Sequence, residues 1–184
     1  MIPPRVNPDL IGHAHAEQAI LAAIANGRLP HAWLLLGPKG VGKATLAFRF
    51  ARYLLAHPEG PADEGPGLFG GDAPPALPAS LYLEPDDPVF RRTVSGGHTD
   101  LLVLDESSAT GRTSQIPVEA VRGLGPFLHQ TAGEGGRRIV IIDALDEINM
   151  AGANALLKLL EEPPAGAVLI LVAHSLARIL PTSS

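Results

Sequence analysis

The run Gly37-Pro38-Lys39-Gly40-Val41-Gly42-Lys43 constrains this chain more than any other feature. It follows the wholly apolar stretch 32–36, which suits a buried strand, and precedes residues 43–55, which read as a helix. Glycines at such a turn let backbone N–H groups close around phosphate oxygens. The helix start adds partial positive charge, and Lys43 supplies a full one. The plainer alternative, a turn that only links strand to helix, has no use for the lysine. A strand entering such a turn belongs to a parallel sheet covered on both faces, and the rest of the chain can be checked for that rhythm.

The rhythm is there. Residues 16–26 read as a helix closed by Gly27, 101–104 as a strand, 118–128 as a helix, and 139–142 as a second buried strand ending at Asp143. Residues 152–162 form a helix stopped by Pro163-Pro164, and 168–172 another apolar strand. The expected fold is therefore α/β with a parallel sheet, in one domain over residues 1–184. Residues 57–97 break the pattern: prolines and glycines are so dense there that the stretch reads as a long irregular insertion.

Composition narrows the function classes. With 46% hydrophobic and 18% charged residues, the chain can bury a real core. It has no cysteine, so disulfides and thiolate zinc sites are out, and no zinc is expected. Lys+Arg 14 against Asp+Glu 19 leaves a net charge of −5, a poor balance for autonomous DNA binding. No apolar run approaches the roughly 20 residues of a membrane span, and residues 1–10, with Pro3, Pro4 and Pro8, lack a signal-peptide pattern. No membrane partner and a cytoplasmic address are expected.

Two positions speak against hydrolysis. The residue after a phosphate-binding lysine is normally Ser or Thr, whose hydroxyl holds Mg²⁺; here it is Ala44, and the hydroxyl comes at Thr45, turned about 100° away around the helix. Ile139-Val140-Ile141-Ile142-Asp143 resembles a Walker B strand, bringing one carboxylate to the same sheet edge. The general-base position directly after it is Ala144, which accepts no proton, so no catalytic residue is assigned. Asp146 and Glu147 remain as substitutes, although charges favouring the next helix N-terminus are their simpler reading.

The segment Asn154-Ala155-Leu156-Leu157-Lys158-Leu159-Leu160-Glu161-Glu162-Pro163-Pro164 resembles the signature helix of bacterial DNA polymerase III clamp-loader subunits, members of the AAA+ family. Gly27-Arg28-Leu29-Pro30-His31-Ala32, Gly97-His98-Thr99-Asp100-Leu101 and Ile116-Pro117-Val118-Glu119-Ala120-Val121-Arg122 are similar to the same family. Within it, Asp143-Ala144, Ala44 and His174-Ser175 resemble the delta-prime branch more than the ATP-hydrolysing tau and gamma motors.

The resemblance implies a P-loop AAA+ three-layer sandwich. It also implies ATP or ADP as ligand, weak or absent Mg²⁺ binding, and a stator-like place in the ring that loads the sliding clamp onto primed DNA. The implied partners are the tau/gamma and delta subunits, with clamp and DNA reached through the assembly. The implied nucleotide site comprises Gly37, Pro38, Lys39, Gly40, Val41, Gly42, Lys43, Ala44, Thr45 and Asp143, with His174 in a sensor-like position. Leu10-Ile11-Gly12-His13 is either part of an adenine pocket, through Ile11 and Gly12, or a plain helix start.

Many members carry four zinc-binding cysteines where this chain has its insertion. His57 and His98 bracket that insertion without ligand spacing and read as surface histidines. The sequence ends at Leu180-Pro181-Thr182-Ser183-Ser184, before the family's Ser-Arg-Cys motif, fifth strand, lid and collar. The expectation is a domain with one uncovered strand edge and a tendency to self-associate. Two other readings stay in view: a hydrolysing motor of the same family using Asp146 or Glu147, and a small P-loop kinase. The kinase is disfavoured because it needs several phosphate-clamping arginines, whereas Arg91-Arg92 and Arg137-Arg138 read as solvated charges beside strands.

Overall fold

The computed structural model of the chain describes residues 1–58, 80–108, 115–130, 132–133 and 136–175. In chain order these form α1 (Ala14–Ala25), β1 (Ala32–Leu36), α2 (Lys43–Ala56), α3 (Pro88–Ser95), β2 (Leu101–Leu104), α4 (Val118–Arg122), α5 (Leu124–His129), β3 (Arg138–Asp143), α6 (Met150–Glu161) and β4 (Ala167–Ala173). Among the described residues the strands make one parallel sheet of order β1-β4-β3-β2, as the apolar runs and intervening helices imply.

Alternation along the strands sends side chains to two cores. Ile139, Ile141, Val168, Ile170 and Val172 pack under α1 and α2, while Val140, Ile142, Leu169 and Leu171 pack under α4, α5 and α6. β3 and β4 are central and buried on both faces, which is why they read as unbroken apolar runs. β1 lies at the edge. Its Trp33 and Leu35 join the first core, whereas Leu34 and Leu36, on the other face, are 48% and 44% exposed.

Three expectations need correction. The stretch 57–97 is not irregular throughout: α3 lies inside it. Pro88 stands at the first helical position, where a missing N–H costs nothing. Asp87 caps Val89 N at 2.8 Å, and Gly96 closes the helix with φ +75°. Leu81 and Phe90 anchor this part in the core; residues 59–79 lie outside the described residues.

The helix expected over 118–128 is two, α4 and α5, meeting at Gly123. Pro126 has no N–H to give the Arg122 carbonyl, so one continuous helix cannot form there.

His98 and Arg138 are not surface groups but 5% and 8% exposed. Arg138 lies over the Phe127 ring at 4.7 Å and pairs with Asp100 at 3.6 Å, and Asp100 also accepts Gly133 N. His57 is half-buried, stacked on Tyr53. No helix among the described residues is long and apolar enough to cross a membrane. The final residues 176–184 are also outside the description.

Candidate functional site

Because the strands are parallel, their C-terminal ends share one edge, and the segments leaving them enclose a cleft of about 740 Å³. After β1 come Lys39, Gly40 and Gly42, followed by Lys43, Ala44 and Thr45 of α2. After β2 come Asp105, Glu106 and Ser107, after β3 Asp143, Ala144 and Glu147, and at the end of β4 Val172 and His174. The phosphate-type loop, the Walker B-like carboxylate and the sensor-like histidine are thus brought together.

The loop is shaped by its glycines. Gly40 and Gly42 have φ of +87° and +99°, and a Cβ at Gly42 would also lie 3.3 Å from Leu10 and from His13. His13 Nε2 donates to the Val41 carbonyl. Leu10 and His13 therefore buttress the loop from outside. Ile11, 91% exposed, and Gly12 do not line the cleft, which departs from their expected place beside a base. Gly37, Pro38 and Val41 also stay off its lining; Gly37 and Pro38 instead offer their carbonyls to Lys43 Nζ.

Lys43 is 5% exposed. Burial pushes its ammonium below the ordinary lysine range, and the carboxylates of Asp143 and Asp146 pull it partly back. Burial likewise raises the Asp143 carboxyl; His174 and Lys43 lower it, and Asp105 and Glu106 push it further up. The cleft is thus a compact set of opposed charges in which a carboxylate is ill at ease.

Ala144 is 2% exposed and stands directly after Asp143 across a cis peptide. Asp146 is not a helix-start charge: α6 is capped by Asn149, whose side chain accepts Gly152 N at 2.9 Å. Asp146 lies in the short turn Leu145–Glu147 and accepts the backbone N–H groups of His174 at 2.8 Å and Ser175 at 3.2 Å. Its carboxylate fixes the chain leaving β4 and so sets the place of His174. Glu147 keeps a place on the cleft wall.

Position 44 offers a methyl, and Asp143 is a carboxyl that burial drives toward its neutral form. Among the described residues no three His, Asp or Glu side chains are grouped to hold a metal ion.

A family profile described as "DNA polymerase III, delta subunit" matches residues 86–184, more than half of the chain. The chain belongs to this family. It is 36% identical over 152 residues to DNA polymerase III subunit delta' of Pseudomonas aeruginosa, covering 83% of this chain and 40% of that protein. It is 29% identical to subunit gamma/tau of Mycobacterium tuberculosis, over 95% of this chain and 26% of that protein. Its fold matches the crystal structure of a DNA polymerase III gamma subunit-related protein from Thermotoga maritima, with TM-score 0.55, 19% identity and coverage of 89% of this chain and 41% of that one. The chain spans less than half the length of these relatives.

Sequence reasoning missed two parts of the site. The segment before α1 contributes Met1, Ile2, Pro4 and Asn7 to the cleft, with no motif to announce it. Asp105-Glu106-Ser107 could have been found: they follow the apolar run 101–104 as Asp143 follows 139–142. A second groove of about 590 Å³, between α4, α5 and α6, holds Arg122, His129 and Lys158 but no residue of the loop 37–43.

Proposed function

We propose that this chain is the nucleotide-binding part of a delta-prime-type clamp-loader subunit, which holds ATP or ADP in the P-loop cleft without turning it over. The carrying observation is Ala144, a buried methyl where the base of a hydrolysing site must stand. Asp146, the nearest replacement, has both carboxylate oxygens committed to His174 and Ser175 backbone N–H groups. In this reading phosphate oxygens displace the Gly37 and Pro38 carbonyls from Lys43, and the loop N–H groups and the α2 N-terminus complete the cradle. With Ala44 beside the lysine, binding depends little on Mg²⁺.

A subunit that holds nucleotide without consuming it suits a stator. The ring partners are then the gamma/tau and delta subunits, and the sliding clamp and primed DNA are met by the assembly. The net charge of −5 agrees with leaving DNA contact largely to other subunits. Titration with a fluorescent ATP analogue, with Mg²⁺ and with EDTA, tests the binding half. Saturable binding in both, weakened about 10- to 100-fold in Lys43→Ala, is expected; no binding in either overturns it. A second reading, a hydrolysing motor, is favoured only by Glu147 on the cleft wall. Turnover that collapses in Glu147→Gln would establish it.

A further inference from the structure

Two arginines of α2 are buried beyond what a helix packed on a sheet requires: Arg49 is 4% and Arg52 1% exposed. Both reach the same segment. Arg52 Nη1 and Nη2 donate to the carbonyls of Arg5 and Asn7, each at 2.9 Å, and its guanidinium lies 4.3 Å from the centre of the Phe90 ring. Arg49 donates to the Pro8 carbonyl and pairs with Glu17 through Nε at 2.8 Å and Nη2 at 2.6 Å. The strap before α1 is folded by its own turn, Val6 N and Asn7 N both meeting the Pro3 carbonyl at 3.1 Å. The arginines hold it by main-chain carbonyls, and Met1, Ile2, Pro4 and Asn7 are left to wall the cleft.

That wall differs in chemistry from the P-loop wall. Its cleft-lining residues carry two apolar side chains, a proline and an amide, and no charged side chain. Apart from the α-amino group of Met1, such a surface suits a flat, weakly polar nucleobase better than a phosphate. The helix that begins with Lys43 therefore also carries, two turns on, the clamps for the opposite wall.

We propose that Arg49 and Arg52 are positioning residues for nucleoside recognition, fixing the strap against the P-loop helix so that its residues form the base-contacting wall while the P-loop holds the phosphates. The inference rests on the P-loop reading above. A guanidinium fork can bridge two carbonyls of one strap; a lysine ammonium, a single point charge, cannot hold both in the same geometry.

Calorimetric titration of the chain with ATP and with inorganic tripolyphosphate separates the two walls. Arg52→Lys is expected to weaken ATP about five- to tenfold and tripolyphosphate less than about twofold, the scale of one or two lost hydrogen bonds at the nucleoside end. Deletion of residues 2–4, which leaves both arginines intact, is expected to give the same selective loss. If Arg52→Lys weakens both ligands equally, or neither, the positioning role is wrong. The P-loop reading still stands in that case if Lys43→Ala loses both ligands. If the unaltered chain binds neither ligand, the P-loop reading fails and this inference fails with it. If Arg52→Lys does not fold, judged by far-ultraviolet circular dichroism, the deletion decides, and unchanged ATP affinity there overturns the proposal.

Discussion

On the β1 side of the cleft stand the groups of the proposed phosphate cradle: glycines with positive φ, the start of α2, and a buried lysine whose ammonium is parked on two loop carbonyls. On the β3–β4 side the backbone is as well supported, with both strands buried and Asp146 tying the two strand ends together, yet the position after Asp143 carries only a methyl. Binding and hydrolysis make separate demands on a site of the kind proposed, and in that reading one wall meets its demand while the other does not. The two walls differ in side chains rather than in scaffold, so substitutions can probe them one at a time.

The largest expected effect is at the binding wall. Lys43→Ala should weaken ATP about 10- to 100-fold, the worth of a charge-assisted hydrogen bond, as read by equilibrium titration. Ala144→Glu tests whether the other wall can be restored. The site is 2% exposed, so the added carboxylate should cost about 2–3 kcal/mol in denaturant unfolding, and with Ala44 still in place no turnover is expected from this change alone; a folded, hydrolysing variant would show that Ala144 is the whole difference between the walls.

Asp146→Ala should cost about 1–2 kcal/mol, since two backbone N–H groups lose their acceptor, and leave phosphate release at background. A fall in turnover instead would make Asp146 a base. Asp143→Asn should have a smaller effect of opposite sign. Burial raises the Asp143 carboxyl above its unfolded value, so its contribution to stability is fully present below the unfolded value and is lost as pH rises through the folded one. The nucleotide-free variant should therefore melt higher than the unaltered chain at pH 7, and the difference should vanish as the pH is brought below the ordinary carboxylate range. Smallest of all, Ala44→Ser should make ATP affinity depend on Mg²⁺ by a few-fold, about 1 kcal/mol, where the unaltered chain shows little dependence.

The binding wall was legible in the sequence because its chemistry is local. Three glycines and a lysine within one turn, placed after an apolar run, specify loop, strand and helix together, and β1 spans the expected residues. The strands β2, β3 and β4 were legible for the same reason. What escaped depends on distant contacts. Pro88 reads as a breaker until Asp87 and Gly96 are seen to cap a helix on either side of it. His98 and Arg138 look solvated because polarity alone does not disclose an aromatic ring or a carboxylate across the fold. Asp146 reads as a helix-start charge, since nothing near it in sequence shows that it faces the end of β4. Arg49 and Arg52 did leave a signal, two charges inside the otherwise apolar 46–55, which the strap of residues 1–13 explains.

Whether the cleft holds ATP without consuming it is read by single-turnover phosphate release, with the chain in excess over radiolabelled ATP and compared with Lys43→Ala. Bound ATP should be recovered intact, with release at the same background rate in both proteins. Release that saturates with protein concentration and disappears in Lys43→Ala would contradict this expectation.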